Sequence, residues 1–284
     1  MVRLTENAYG KSRVRLVRVD RGPLQALRDL TVDIRFVGRY DDCYAAGDNR
    51  AVLPTDTMKN TVYALAAVGI GEPEAFGLRM VRHFLDGNSE LDEVEVRLAE
   101  RLWERIATAG GAHPHAFSAA GNTMRTAAVS GAHRAAPRVV SGLRDLELLK
   151  TTGSGFAGFR RDPYTTLAET ADRILATTVR ADWTYGRDEV DYGAVFADVR
   201  QILASTFAAH DSRSAQHTLW AMGEAVLQAR PEVARIHLVL PNRHHLVVDL
   251  SPLGLENRGE IFVATEEPHG LIEGTLERDG SLPP

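Results

Sequence analysis

Residues 59–65 read KNTVYAL and residues 216–222 read QHTLWAM. The two segments align with Thr61 on Thr218, Tyr63 on Trp220 and Ala64 on Ala221. Around the first, Met58, Val62, Leu65 and Ala66 recur at helical spacing behind Thr55, Asp56 and Thr57, residue types that cap helix starts. Around the second, residues 192–203 and 216–227 read as two successive helices. The likeness implies a duplicated unit in which each copy carries its own helical layer.

Working outward, LTVDIRF at 30–36 alternates cleanly, so Leu30, Val32, Ile34 and Phe36 share one face of a strand, and RVRLVRV at 13–19 reads as its partner. Residues 41–49, rich in Asp and Asn, read as a connection. A second helix is expected over 73–85, with Pro73 in the first turn, where its missing N–H costs nothing, and Gly87-Asn88 as its close. Strand signals follow near 94–98 and 138–149, while the stretch between them has no clear period. The second half repeats the order with a strand over 174–183, the two helices, and one or two strands over 236–250. This pattern predicts an α+β fold of antiparallel sheets with helices on one face, divided into domains at 1–140 and 141–284.

The 284 residues are 44% hydrophobic and 25% charged, which fits a folded globular chain and excludes disordered, collagen-like and coiled-coil classes. Thirty-three basic against 38 acidic residues give a net charge of −5, which offers no pull toward nucleic acid or anionic lipid. One cysteine, Cys43, allows neither an intrachain disulfide nor a multi-thiolate metal site. The N-terminal charges, the lack of a long apolar run and a C-terminus without a peroxisomal tripeptide lead us to expect a cytoplasmic protein that engages no membrane.

Five segments carry a resemblance that covers nearly the whole chain: YGKSRVRL (9–16), TDTMKNTVYALA (55–66), FAGFRRDPYTTLAETADRIL (156–175), SAQHTLWAM (214–222) and LPNRHHLVVDLS (240–251). In this order and spacing they resemble the urate oxidase family. The resemblance implies two tandem tunnelling-fold domains in a homotetramer whose sheets close into barrels, with active sites between subunits. It also implies oxidation of urate by O2 to 5-hydroxyisourate and hydrogen peroxide, with no metal and no organic cofactor.

By the same resemblance, Lys11, Thr55 and His244 match the catalytic residues. A lysine of lowered pKa would deprotonate urate through the threonine hydroxyl, which both donates and accepts, and His244 would serve a relay that includes water. Substrate would be held by Thr55, Asp56, Phe156, Arg173, Ala215, Gln216 and Asn242. Arg173 offers a planar fork to an anionic edge, Gln216 an amide to the opposite edge, and Phe156 a ring to stack on the purine. Thr55 and Asn242 would hold oxygen, peroxide or water over the purine plane, while Asp56 and Ala215 would contact it through their backbones.

Read singly, these residues have plainer explanations. Lys11 could be a solvated lysine in a turn, Thr55 an N-cap, His244 a half-buried strand histidine, Phe156 a core residue, Gln216 a polar residue near a helix start, and Asn242 a turn residue after Pro241. Arg173 could pair with Glu169, four residues earlier, for about 0.3–0.5 kcal/mol on a helix. The His113-Pro114-His115 run has no assigned chemistry. Competing functions are a pterin or guanine-nucleotide enzyme of the same fold and an inactive purine-binding oligomer. The first generally anchors its heterocycle with a glutamate where Gln216 stands here, and the second would not need the Lys11, Thr55 and His244 set.

Overall fold

The computed structural model describes residues 2–278. The fold is α+β, with antiparallel strands and, among the described residues, five α-helices. The chain divides into two compact units, Met1–Gly142 and Leu143–Pro284.

In the first unit, β1 (Tyr9–Asp20), β2 (Ala26–Gly38), β3 (Leu91–Thr108) and β4 (Gly111–Gly131) lie side by side in chain order, each pair antiparallel. The alternating run of β2 turns Leu30, Val32, Ile34 and Phe36 inward. They meet Met58, Val62 and Ala66 of α2 (Thr55–Val68) and Phe76, Met80 and Phe84 of α3 (Pro73–Gly87) in one core. Each large apolar side chain removed from water there contributes about 1.5–3 kcal/mol. Pro73 stands in the first turn of α3, as its spacing requires.

Three readings of this half need correction. Residues 41–49 are not wholly connection, because Asp41–Ala46 forms a short helix, α1, closed by Gly47 in the left-handed conformation. The strand near 94–98 runs on to Thr108 and returns as β4, a long hairpin that the sequence hid. Register shifts between Arg101 and Trp103 and between Arg105 and Ala107 break its two-residue period. Thr55 is not an N-cap. It is the first residue of α2, behind Pro54, and no side chain caps that end.

The first unit also buries charge. Arg125 bonds Glu74 at 2.7 Å and also Glu72, Arg28 bridges Glu72 and Glu100 at 2.8 Å each, and the Ser141 hydroxyl donates to Glu74. Burial outweighs Arg125 and pushes the Glu74 carboxyl above its ordinary range.

The second unit sets β5 (Arg138–Lys150, which enters from the first), β6 (Leu175–Tyr185), β7 (Val233–Val247) and β8 (Phe262–Glu277) in chain order. Helices α4 (Tyr192–Ala209) and α5 (Ala215–Ala229) supply its apolar layer through Val195, Val199, Leu203, Leu219, Met222 and Val226. They cover Leu175, Val179, Ala181 and Trp183 of β6 and Ile236, Leu238 and Leu240 of β7. Strand β8 was not anticipated, since Pro268, Gly270 and Gly274 interrupt its pattern.

Candidate functional site

Lys11 lies on β1 directly opposite Ile34. Its neighbour must be glycine, because a Cβ at Gly10 would stand 1.9 Å from the Ile34 carbonyl oxygen. Just beyond, the ladder shifts register between Lys11 and Val14, Arg13 takes φ 58°, and its N–H donates to Asp33 at 2.7 Å. Such a bulge bends the strand and re-aims the side chains beside it. The Tyr9 hydroxyl accepts from the Leu53 N–H at 3.0 Å, and the Tyr9 ring packs edge-on to Tyr40 and Phe36. The end of β1 that carries Lys11 is thereby tied to the loop that delivers Thr55.

Asp56, next along α2, accepts from Asn60 at 3.0 Å and pairs with Lys59. The Lys59 hydrogen bond chiefly holds this exposed carboxyl below its usual range, and the charge of Lys11 adds to the effect. Lys11, Thr55 and Asp56 thus form one cluster.

The second cluster rests on a segment without regular structure. Phe156 and Thr170 exchange backbone bonds of 2.8 and 3.0 Å, the Arg173 N–H donates to Ser154 at 2.7 Å, and Gly155 donates to Ser212 at 2.8 Å. Gly155 is needed here, since a Cβ would lie 2.9 Å from the Ala171 carbonyl. The result places the Arg173 guanidinium over the Phe156 ring, 5.3 Å from its centroid. Phe159 stacks on Phe156 at 4.9 Å and 14°.

No helix joins residue 169 to 173, and Glu169 faces Arg161 at 3.9 Å instead, so the local Arg173–Glu169 pair is absent. Among the described residues the Arg173 Nε is buried without a hydrogen-bond partner, and burial pushes the guanidinium pKa down. A desolvated planar cation beside an aromatic face is a receptor for a flat anion.

Hydrogen bonds connect this segment to α5. Thr218 donates to the Ser212 hydroxyl at 2.7 Å, Ser212 donates to the Ser214 carbonyl at 3.0 Å, and Ser214 caps the helix by accepting from the His217 N–H at 3.1 Å. Ala215 is therefore buried in the first turn and Gln216 is exposed at the helix start. Asn242 and His244 come from β7, where a register shift lies between them. Asn242 is opposite Thr177 and Gly270, and His244 is opposite Thr265, whose hydroxyl donates to the His244 carbonyl at 3.2 Å.

Sequence reasoning missed the pair His210 and His217, whose ring nitrogens are 3.2 Å apart. The Arg213 N–H donates to the same His217 Nδ1, so that nitrogen accepts and His210 Nε2 is the donor. Burial first, then His217 and Lys150, keep His210 below its ordinary pKa. Two histidines flanking a helix start were the available signal. The His113-Pro114-His115 run is held largely through its backbone, with the two imidazoles packed edge-on at 4.5 Å. Arg105 donates to the His113 and Pro114 carbonyls at 2.9 Å, and Gln25 donates to Pro114. Among the described residues, no group of three or more His, Cys, Asp or Glu is placed to hold a metal ion, and no helix is long and apolar enough to cross a membrane.

These clusters define an α+β protein that presents a lysine and a threonine in one unit and an arginine over an aromatic ring in the other. The family model described as Uricase matches residues 7–130 and 139–273. The chain is 44% identical to a uricase of Arthrobacter globiformis over 98% of its own length and 91% of the relative's. It is 42% identical to one of Dictyostelium discoideum over 99% of each chain. The crystal structure of the Arthrobacter globiformis uricase superposes with a TM-score of 0.94 at 43% identity, covering 100% of this chain and 98% of that one. The chain belongs to the uricase family.

Proposed function

We propose that the chain converts urate, O2 and water to 5-hydroxyisourate and hydrogen peroxide, using its own side chains and no metal or organic cofactor. The observation that carries this reading is the half-buried Arg173 guanidinium over Phe156, whose buried Nε has no hydrogen-bond partner among the described residues. Urate is a flat anion with carbonyls and ring N–H groups on its edges. Arg173 neutralises its charge through two parallel bonds, Phe156 stacks on its plane, and Gln216 donates to and accepts from the opposite edge. The backbones of Asp56 and Ala215 complete the contacts.

Lys11 draws a proton from urate through the Thr55 hydroxyl, making the ring a better electron donor. Electrons pass to O2 held by Thr55 and Asn242. The relay that includes His244 then activates water to attack the oxidised ring and delivers protons to the reduced oxygen. Lys11, Thr55 and Asp56 belong to the first unit, whereas Phe156, Arg173, Ala215, Gln216, Asn242 and His244 belong to the second. On the family's plan each unit is one tunnelling-fold domain, the chain is a homotetramer, and one subunit's first set completes its neighbour's second set. The working location is the cytoplasm.

The test mixes chelator-treated, metal-analysed protein with urate in air-saturated buffer and follows urate absorbance, oxygen uptake and peroxide together. Equal consumption of urate and O2 with matching peroxide is the expected result. Binding without oxygen uptake would instead define an inactive purine binder. In the same assay Arg173→Ala should weaken urate binding as well as turnover, and normal binding would move the anchor elsewhere.

A further inference from the structure

We propose that Thr177 is a positioning residue for the oxygen side of the reaction, its hydroxyl fixing the carboxamide of Asn242. Thr177 belongs to the inward face of β6, among Leu175, Val179, Ala181 and Trp183, and is 4% exposed. Its Oγ1 is buried and has no hydrogen-bond partner among the described residues. Valine would fill the same space without burying a hydroxyl, so a hydroxyl kept there without a partner calls for an explanation.

The sheet register supplies one. Asn242 has two directly opposed neighbours, Thr177 on β6 and Gly270 on β8. Residues opposed in this way have Cβ atoms roughly 4.5–5.5 Å apart and project to the same face. Gly270 has no side chain, and even a Cβ built there would stand 3.6 Å from the Asn242 Cβ in ordinary contact. Thr177 is therefore the side chain placed across the ladder to meet the amide. Asn242 also borders the β7 register shift, so the ladder beyond it is interrupted and a lateral contact has to set its orientation.

The chemistry gives that orientation a purpose. A carboxamide has one donor end and one acceptor end. When the Thr177 hydroxyl donates to its oxygen through one bridging water, the NH2 group turns to the oxygen species. Donors aimed at charge that develops during O2 reduction lower the barrier for that step while leaving substrate affinity alone. The inference rests on the reading of Asn242 as a residue that holds oxygen.

The experiment compares Thr177→Val, Thr177→Ser, Asn242→Ala and the Thr177→Val/Asn242→Ala double variant in the full assembled protein, measuring kcat, KM for urate and the denaturation midpoint. Thr177→Val should lower kcat about three- to tenfold, the usual range for one neutral hydrogen bond, with KM within about twofold and stability equal or higher. Thr177→Ser should restore kcat, and the effect of Thr177→Val should vanish in the Asn242→Ala background. Unchanged kcat in Thr177→Val beside an impaired Asn242→Ala would overturn this inference alone. Unchanged kcat in Asn242→Ala would overturn the reading of Asn242 beneath it. Equal loss from Thr177→Val with and without Asn242 would assign the hydroxyl a role unconnected with the amide.

Discussion

Helices α2 and α5 bury matching faces and open in different ways. With Lys59 set on Gln216, the buried Met58, Val62 and Ala66 of α2 fall on the buried Ala215, Leu219 and Gly223 of α5. The half-exposed Tyr63 and Trp220 coincide on the outer side. Yet α2 starts one turn earlier, so Thr55, Asp56 and Thr57 have no helical counterpart in α5, where a serine-capped loop ends at Ser214. Packing against a sheet fixes the shared face. The N-terminal turn is free to differ, and in one unit it carries Thr55, in the other Gln216.

The comparison breaks most sharply in catalysis. If the first unit supplies the proton relay and the second the clamp, Lys11→Ala should lower kcat about 10²–10⁴-fold, the span of general acid–base catalysis. Binding of a non-oxidisable purine should persist. Matched kinetics and binding titrations test this, and equal losses in both would place Lys11 in the clamp instead.

The two units also differ in what they bury. Among the described residues, the buried charged side chains Asp29, Glu74, Glu100 and Arg125 all lie in the first unit beside the hydroxyls of Thr123 and Ser141, while the second buries only uncharged polar side chains, Ser154, Thr177, Ser212 and Thr218. Removing one member of a buried ion pair strands its partner, so Arg125→Met should cost about 3–5 kcal/mol in urea denaturation. A loss below about 1 kcal/mol would show that the cluster relaxes into water.

The same cluster makes stability depend on pH. The Glu74 carboxyl is held above its ordinary value of 4.5 by burial, so the folded chain binds that proton more tightly than the unfolded one. Its stabilising contribution is complete below the unfolded value and is lost as pH rises from about 4.5 through the folded value. Glu74→Gln, which cannot titrate, should flatten that part of the pH–stability curve. An unchanged slope would show that the carboxyl titrates normally.

What the sequence made legible follows the same physics. The alternation of 30–36 shows because one face of β2 is buried throughout, and the helical repeats show because α2 and α5 each lie on a sheet. The β3–β4 hairpin did not show, because its register shifts interrupt the period, and β8 is masked by Pro268, Gly270 and Gly274. The candidate site was legible only through resemblance. By local rules Arg173 belonged to Glu169, and its place over Phe156 depends on backbone bonds of this segment to Ser154, Thr170 and Ser212 that no spacing announces. Nor does any sequence period reveal that strand ladders shift register beside both Lys11 and Asn242.

The smallest expected effect separates the two helix starts. Ser214 caps α5 through its hydroxyl, so Ser214→Ala should cost about 1 kcal/mol. It should also raise KM for urate, because the turn that it holds carries Gln216. Thr55 does not cap α2, since the helix begins at Thr55 itself behind Pro54. Thr55→Ala should then leave the denaturation midpoint within the usual ±0.5 kcal/mol of a neutral change while turnover collapses. If Thr55→Ala destabilised the protein as much as Ser214→Ala did, its hydroxyl would be a helix cap after all, and the two openings would be the same device.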